Sequence, residues 1–412
     1  MIPRPQYLQK LASLRDKHII KVVTGVRRSG KSTLLRLFRE RLLGDGVSHR
    51  QIIDLNMEDP AYRELLSWEK LYDHINARLL PDRKNYVFID EVQNVADFQR
   101  AADGLFIKDN VDLYLTGSNS RIQSGKWATM LTGRYIKIQI LPLSFREYIS
   151  AAGHNNLPRK FQRYMEYGAF PQCLDFSSKD DVRSYLDSIY NTIILKDVAE
   201  SNNFRDISRL ERIVRFMADN IGKETSANNI AGTMTRDGAK INVRTVEKYL
   251  QALCDSYILY RAGRYDVRGK KLLKTLNKYY IVDTGLRYTL LGDGLTDTGR
   301  MLENIVYLEL TRRYRKIYTG KMDVLTKEKD EDGSVTGKYV TKEIDFVVEG
   351  NDGKEYYQVS QSVMDPKTLE RELAPLLAAP DHNPKYLLTM DPMPPSNHNG
   401  IKQINILDWL VT

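Results

Sequence analysis

One eight-residue stretch constrains this 412-residue chain more than any other. Residues 25–32 read GVRRSGKS and match the pattern G-x-x-x-x-G-K-[ST] without a gap. A short apolar run of strand type, residues 19–23, comes directly before them, and helix-forming residues follow from Leu34 to Leu43. A strand, a glycine loop and a helix in this order are the context that a phosphate-binding loop requires. The stretch therefore predicts a nucleotide-binding α/β fold.

The chemistry of phosphate binding gives each residue of the loop a role. Glycines let the backbone curl so that successive N–H groups face one anion, and the following helix N-terminus adds partial positive charge. Lys31 is expected to reach the β- and γ-phosphates, and Ser32 to offer its hydroxyl to Mg²⁺. We therefore predict ATP and Mg²⁺ as cofactors. The predicted nucleotide-binding residues are Gly25, Arg28, Ser29, Gly30, Lys31, Ser32 and Thr33.

Two acids end an apolar run at residues 86–91, YVFIDE, which predicts a buried strand. Following a good phosphate loop by about sixty residues, this pattern is typical of the second half of an ATPase site. Asp90 would hold Mg²⁺ through water or through Ser32. Glu91 would orient and deprotonate the attacking water. An exposed acidic turn is the structural alternative.

Further strands are expected at residues 111–118 and 132–140, so that strands and helices alternate. Such alternation predicts a parallel sheet with its ligand at the carboxyl ends of the strands. Asn119, and after it Ser118, could contact the γ-phosphate or the lytic water from a neighbouring strand. A capping turn is the alternative interpretation of these polar residues.

Composition limits the class of protein. The length suggests about two to four domains, and an apolar content of 42% supports real cores. No run of eighteen apolar residues exists, so neither a transmembrane helix nor a membrane partner is expected. The first ten residues lack an apolar signal core, and the two cysteines have no metal-ligand spacing. The sequence thus predicts a cytoplasmic protein.

Positive charge is concentrated in one part of the chain, which carries +9 overall. Residues 236–278 contain eleven Lys/Arg and four Asp/Glu, whereas the rest of the chain is almost balanced. A local basic stretch suggests a polyanion partner. A solvated surface is the equally acceptable alternative on charge alone.

The order of elements around the basic stretch resembles a winged helix-turn-helix. Helices are expected at residues 206–220, 225–234 and 241–257, followed by a strand, a basic loop and a returning strand that ends at Val282. This order predicts contact with the DNA backbone and weak dependence on sequence. A winged helix used for subunit packing is the alternative. The candidate DNA-binding residues are Arg244, Lys248, Arg264, Arg268, Lys270 and Lys271.

The motifs GVRRSGKST, VFIDEVQ, LTGSNS, LTGRY and LPLSFREY occur in this order and resemble the AAA family of P-loop ATPases. The similarity extends to a branch of bacterial and archaeal ATP-binding proteins through YGAFPQCL, KYYIVDTGLR, LENIVYLEL, EIDFVV and QVSQSV. The resemblance implies a homo-oligomer, a hexameric ring in which an arginine completes the neighbouring subunit's site. Arg134 is the first candidate for that catalytic arginine and Arg121 the second. Both could instead be ordinary surface cations.

The C-terminal motifs resemble a restriction-endonuclease-like core, in which a helix Glu, a hairpin Asp and an acid-x-Lys hold metal and activate water. By motif these positions are Glu303, Asp345 and residues 358–360. Gln358 replaces the acid and Ser360 replaces the lysine. Only two carboxylates would remain for a cation, and no lysine would poise the attacking water. We therefore expect a degenerate nuclease site without cleavage, in a fold retained for DNA binding or assembly.

The predicted fold class is α/β: a parallel-sheet P-loop AAA+ ATPase with a helical lid, a winged helix-turn-helix and a degenerate nuclease-like domain. The expected boundaries are 1–141 for the ATPase core, 142–204 for the lid, 205–285 for the winged helix and 286–412 for the C-terminal domain. The leading hypothesis is an ATP-hydrolysing protein that binds and remodels or translocates DNA, with branched DNA, recombination or repair as its setting. The alternatives are a nucleotide-switched signalling or defence ATPase that binds a protein, and an ATP-gated metal-dependent nuclease.

Overall fold

The computed structural model describes residues 1–117, 133–292, 297–329, 335–350 and 353–412. These residues form two β-sheets with a largely helical segment between them along the chain. The first sheet has five strands in the order β2-β3-β4-β1-β5, and every neighbouring pair is parallel. The predicted parallel sheet is therefore confirmed. Its strands are β1 (Ile20–Thr24), β2 (Ile52–Asn56), β3 (Asn85–Asp90), β4 (Val111–Gly117) and β5 (Tyr135–Gln139).

Helices cover both faces of this sheet, which explains why its central strands β1, β3 and β4 are buried along their whole length. Successive strand side chains point to opposite faces. Val22 accordingly packs into one core and Val23 into another. The helices α1 (Pro5–Leu14) and α2 (Lys31–Gly44) lie on the Val23 face, and α3 (Trp68–Asn76) and α4 (Phe98–Phe106) on the Val22 face.

A helical segment follows the first sheet. One continuous core runs from these helices to the C-terminal residues and includes both Phe145 and Trp409. The expected boundaries after residues 204 and 285 therefore fall within one core. The segment consists of α5 (Phe145–Ala152), α6 (Leu157–Tyr167), α7 (Lys179–Thr192), a π-helix (Ile193–Glu200), α8 (Ile207–Asp219), α9 (Ala227–Arg236) and α10 (Val243–Asp255).

The second sheet is mixed and has eight strands in the order β12-β13-β11-β10-β9-β8-β6-β7. Its strands are β6 (Leu259–Asp266), β7 (Lys271–Ile281), β8 (Lys316–Lys329), β9 (Val335–Gly350), β10 (Gly353–Val359), β11 (Lys385–Thr389), β12 (Ser396–His398) and β13 (Ile401–Asn405). The accompanying helices are α11 (Thr284–Leu291), α12 (Thr298–Arg313), α13 (Pro366–Ala378) and α14 (Ile406–Val411).

The hairpin that the sequence assigns to a wing, β6 and β7, belongs to this second sheet. Strand β6 pairs with β7 on one side and runs parallel to β8 on the other. An isolated two-stranded hairpin is marginally stable, and pairing with β8 gives its open edge a partner. Helix α12 covers the outer edge of β7, where the Asn304 amide accepts from the Ile281 N–H (2.8 Å) and donates to the Ile281 carbonyl (2.9 Å).

No helix among the described residues has both the length and the apolar character needed to cross a bilayer.

Candidate functional site

The loop between β1 and α2 has the conformation that its glycines permit. Gly25 and Gly30 have φ values of +149° and +95°, and Arg28 is also in the left-handed region at +67°. A Cβ atom on Gly25 would overlap the carbonyl oxygen of Ile140. Glycine is therefore required there for two reasons, its backbone conformation and its close approach to the segment after β5.

Lys31 begins α2 and turns its side chain back over the loop. Its Nζ donates to the carbonyl oxygens of Gly25 (3.2 Å) and Val26 (3.3 Å) and lies 3.8 Å from Glu91 Oε1. Only 4% of Lys31 is exposed. The structure thus brings together two residues that lie sixty positions apart in the sequence, because β1 and β3 end at the same edge of the parallel sheet.

Asp90 is the last residue of β3, and its carboxylate accepts hydrogen bonds from the hydroxyls of Ser32 and Thr116. Burial raises the pKa of Asp90 above its ordinary value, although both hydroxyls act in the opposite direction. An aspartate oxygen beside a serine hydroxyl is a donor set that suits Mg²⁺. Ser32 and Asp90 would therefore hold that ion.

Glu91 follows β3 in a left-handed conformation, with φ of 51°. It is 6% exposed, and one of its carboxylate oxygens accepts from the Gln93 amide. Since Asp90 and Glu91 are adjacent, the turn sends their side chains in different directions, one toward Ser32 and the other toward Lys31. This geometry suits separate roles in metal binding and in general-base chemistry.

Thr116 is a site residue that the sequence analysis missed. This fully buried residue of β4 accepts a hydrogen bond from the Glu91 N–H at 3.0 Å while its hydroxyl contacts Asp90. The available signal was a polar residue near the end of the strand beside β3. The predicted candidates just after that strand, Asn119 with Ser118 as second choice, lie outside the described residues, as does Arg121.

We expect Thr116→Val to lower the rate of ATP hydrolysis about tenfold, because two hydrogen bonds that position Asp90 and Glu91 disappear and 1.4 kcal/mol corresponds to one decade. Nucleotide affinity should change little, since Thr116 does not line the loop. Steady-state phosphate release and nucleotide titration measure the two quantities. Thr116→Ser keeps the hydroxyl and should retain most of the rate; a slow serine variant would contradict this role.

A cavity of about 540 Å³ lies over the loop. Besides loop residues, it is lined by the N-terminal segment, the residues before α5, the turn that follows α6 and helix α7. These lining residues include Met1, Ile2, Leu143, Pro171, Gln172 and Tyr185. Pro171, in the turn at residues 168–171, lies in the wall of the cavity, so the helical segment supplies part of the candidate nucleotide site.

Two arginines connect the loop to the helical segment. Arg4, which is 3% exposed, donates to the Ser29 carbonyl (3.0 Å) and to both oxygens of Glu147 on α5 (3.0 and 2.8 Å). Arg27 donates to both oxygens of Asp197 on the π-helix, at 3.2 and 3.1 Å. The loop is therefore linked directly to α5 and to the π-helix.

Arg134 lies at the amino end of β5, where its carbonyl accepts from the Ile20 N–H at 2.8 Å. The phosphate loop leaves the other end of the sheet, so Arg134 is remote from the site of its own chain. Its guanidinium forms an ion pair with Asp103 and remains 43% exposed. A residue that completes a neighbour's site must lie outside its own site, and the assignment of Arg134 stays a prediction.

The candidate DNA-binding residues differ in exposure. Arg244 and Lys248 are exposed on α10, and Arg268, Lys270 and Lys271 are exposed at the β6–β7 turn. Arg264 does not fit the predicted role, because it is 6% exposed and its Nε lies 3.0 Å from Glu224 Oε1. The ion pair with Glu224 accounts for the buried position of the Arg264 guanidinium.

The predicted degenerate nuclease site contains a lysine that the sequence analysis did not find. Lys278 Nζ on β7 lies 3.0 Å from Glu303 Oε1, 2.5 Å from Glu343 Oε1 and 3.8 Å from Asp345 Oδ1. The expectation that no lysine remains beside these carboxylates is therefore wrong. Lys278 comes from a different strand than the motif position, so no local pattern could have indicated it.

The remaining motif positions are placed as follows. Gln358 Oε1 accepts from the Asp345 N–H at 3.3 Å, and its amide donates to Glu372 at 2.9 Å. Ser360 turns away and donates to the Ser362 carbonyl at 3.1 Å.

Burial lowers the pKa of Lys278, but the carboxylates of Glu303, Asp345 and Glu343 outweigh this effect, so that the pKa is raised. Burial raises the pKa of Asp345, and Glu303 adds to that effect.

Comparisons with known proteins agree with the nucleotide site. Residues 17–149 match the model of a family described as an AAA domain, and residues 158–297 match that of a domain of unknown function. The chain is 34% identical to an uncharacterized protein of Haemophilus influenzae, over 100% of this chain and 99% of that protein. It is 27% identical to an uncharacterized protein of Methanocaldococcus jannaschii, over 71% and 67% of the two chains.

Among solved structures, the chain is similar to a Walker-type ATPase of Pyrococcus abyssi, with a TM-score of 0.47 and 16% identity over 70% of this chain and 96% of that one. The full-length match at 34% identity and the AAA model identify the family on sequence. The chain therefore belongs to the same family as the Haemophilus influenzae protein, and it carries an AAA-family P-loop ATPase domain.

Proposed function

We propose that this protein hydrolyses ATP and uses the hydrolysis cycle to remodel or translocate DNA. The observation that carries the hydrolytic part is the meeting of Lys31, Asp90 and Glu91 at one edge of the parallel sheet. These residues supply a cation for phosphate, a ligand for Mg²⁺ and a general base, which are the parts that ATP hydrolysis needs.

Each group has a defined task in this proposal. The N–H groups of the loop and the α2 N-terminus bind the phosphates, and Lys31 moves from the carbonyls of Gly25 and Val26 to the phosphate oxygens. Mg²⁺, when bound, neutralises charge that develops on the transferred phosphoryl group. Glu91 accepts the proton of the attacking water. Thr116 keeps Asp90 and Glu91 in their relative positions.

Exposed cations support DNA as the partner. Arg244, Lys248, Arg268, Lys270 and Lys271 are exposed within the most basic stretch of the chain. They would act mainly through backbone phosphates, since no Asn/Gln cluster among the candidates offers base readout. DNA binding should therefore depend weakly on sequence and steeply on salt, with about 0.9 in the log–log slope for each phosphate contact.

A chain of contacts supports coupling between nucleotide and DNA. Arg27 of the loop holds the Asp197 carboxylate, and the Asp197 carbonyl accepts from Ser256 Oγ at 3.1 Å. Ser256 is the C-cap residue of α10, the helix that carries Arg244 and Lys248. A shift of the loop on ATP binding would therefore reach α10 through Arg27, one residue of the π-helix and Ser256.

The proposal includes assembly into a hexameric ring in which Arg134 reaches the neighbouring subunit's phosphates. Its present partner, Asp103, is one-third exposed and lies on α4. Exchange of that carboxylate for a phosphate of the adjacent subunit would place a cation at the transition state.

The DNA part is tested by replacing Arg244, Lys248, Arg268 and Lys270 together with alanine. We expect affinity for duplex DNA to fall at least about tenfold at 50 mM salt and the salt slope to decrease, because phosphate contacts are lost. Stimulation of ATP hydrolysis by DNA should disappear, while basal hydrolysis should persist. Fluorescence anisotropy at two salt concentrations and phosphate release measure these effects.

A matched control removes four exposed cations from elsewhere, Lys10, Arg63, Lys70 and Arg78. This variant has the same net charge and should bind DNA nearly as well as the wild type. Equal losses of DNA affinity in both variants would show that net charge alone accounts for the interaction. If the wild-type protein binds neither single-stranded nor duplex nor branched DNA at low salt, the DNA proposal is refuted and a protein partner is favoured.

A further inference from the structure

A buried ammonium group stands at the centre of the nuclease-like site. Lys278 is 5% exposed, and Glu303, Glu343 and Asp345 surround its Nζ at 3.0, 2.5 and 3.8 Å. The three carboxylates come from helix α12 and strand β9, whereas the lysine comes from β7, the outer strand of the hairpin. The cluster therefore joins three separate elements of the C-terminal sheet region.

We infer that Lys278 takes the place of a divalent cation in this site, so that the carboxylates are held together by the chain's own ammonium group. The site would then be a metal-independent junction that fastens the β6–β7 hairpin to α12 and β9. In this arrangement the nuclease-like fold is used for assembly of the chain rather than for cleavage of nucleic acid.

The hydrogen bonds of the cluster support this inference. An ammonium group has three N–H donors and here it faces three carboxylates. Glu303 Oε1 also accepts from the Tyr280 hydroxyl at 2.7 Å, so it already has two donors. Asp345 Oδ2 accepts from the Val359 N–H at 2.9 Å. Glu303 Oε1 and Asp345 Oδ2 thus already accept from donors of the protein itself.

A resident metal fits these residues poorly. A divalent cation at the centre would lie within a few ångströms of the Lys278 ammonium, and repulsion between buried like charges is large. The motif positions that would favour a metal are also changed, since Gln358 is neutral and donates to Glu372. Among the described residues, no group of three or more His, Cys, Asp or Glu side chains is arranged to hold a metal ion.

Further contacts around Lys278 join strand β7 to helix α12. Gly222, in the turn after α8, approaches Glu303 so closely that a Cβ atom would lie 3.0 Å from Oε2. Beside Lys278, the Ile281 backbone is bonded to Asn304, the residue after Glu303. Strand β7 and helix α12 are thus held together at two neighbouring points, one ionic and one through an amide.

The decisive experiment uses the nucleotide-free full chain and Mn²⁺ as the probe. Lys278→Met keeps the apolar stem but removes the charge, and it should bind one Mn²⁺ at least about tenfold more tightly than wild type, because loss of one repulsive charge is worth a decade or more. Isothermal titration calorimetry measures the affinity. The new affinity should disappear in the double variant Lys278→Met/Asp345→Asn.

Lys316→Met is the matched control, since it removes an exposed lysine of the same sheet that pairs with Glu349. It should gain no Mn²⁺ affinity. A folded Lys278→Met variant without the gain would overturn the inference. Wild-type Mn²⁺ binding that is lost in Asp345→Asn would overturn it as well, as would Mg²⁺- or Mn²⁺-dependent DNA cleavage that is lost in Asp345→Ala.

If Lys278→Met does not fold, a second measurement tests whether an ammonium group or a metal holds the carboxylates together. Glu303→Gln removes one carboxylate from the ammonium and should lower the thermal midpoint by the same amount in EDTA and in Mn²⁺. Equal losses support an ammonium-centred junction. A loss seen only in Mn²⁺ would show that the carboxylates serve a metal.

Discussion

Glu91→Gln should lower the rate of ATP hydrolysis by about 10²- to 10⁴-fold, the usual contribution of a positioned general base. ATP should remain bound, because glutamine has the same shape and its amide oxygen can still accept from Gln93. Lys31 keeps its contacts with the Gly25 and Val26 carbonyls. Single-turnover phosphate release measures the rate, and titration with a fluorescent ATP analogue measures affinity.

Glu40→Gln is the control for this variant, because Glu40 is exposed on α2, the helix behind the loop. It loses the same charge without touching the site and should hydrolyse ATP as fast as wild type. Normal hydrolysis by Glu91→Gln would show that another residue is the base. A loss of ATP affinity equal to the loss of rate would show that Glu91 acts in binding.

Lys31→Ala should weaken ATP binding by about ten- to a hundredfold or more and abolish hydrolysis, because a hydrogen bond to a charged group contributes about 1.5–3 kcal/mol. The structure gives this substitution a second effect. Two loop carbonyls and the Glu91 carboxylate lose their nearby cation, so the loop that remains is electrostatically less favourable to phosphate. Isothermal titration with ATP and Mg²⁺ measures the affinity.

The thermal midpoint without nucleotide separates binding from folding in this experiment. It should change little, since the contacts of the Lys31 ammonium are with its own loop and with Glu91. Lys10→Ala, an exposed change on α1, should leave both affinity and midpoint unchanged. Wild-type affinity in Lys31→Ala would mean that the phosphates bind elsewhere.

The nucleotide site could be predicted because its signals are local. The spacing from Gly25 to Ser32 describes one continuous loop, and Asp90 and Glu91 directly follow one apolar strand. Parallel topology then brings the loop and the two acids together, since the carboxyl ends of neighbouring strands lie at the same edge of the sheet. Thr116 escaped prediction because its role depends on the register between β3 and β4, which pairs Ile89 with Leu115.

The basic stretch shows where local signals fail. Arg264 and Lys278 have the same sequence character as the exposed lysines beside them, yet one pairs with Glu224 and the other with three carboxylates. Their partners lie tens of residues away. A cationic side chain can be buried where a carboxylate from a distant part of the chain pairs with it, and composition does not reveal such a pairing.

The sequence by itself determined the phosphate loop, the parallel α/β sheet and the two acids, Asp90 and Glu91, at the end of β3. These depend on motifs and on hydrophobic runs shorter than ten residues. Only the tertiary structure decided that β6 and β7 join the C-terminal sheet, that Arg27 reaches Asp197, and that Lys278 lies among three carboxylates. Those contacts join residues 25 to 170 positions apart, and they form because edge strands and buried charges must find partners wherever the fold provides them.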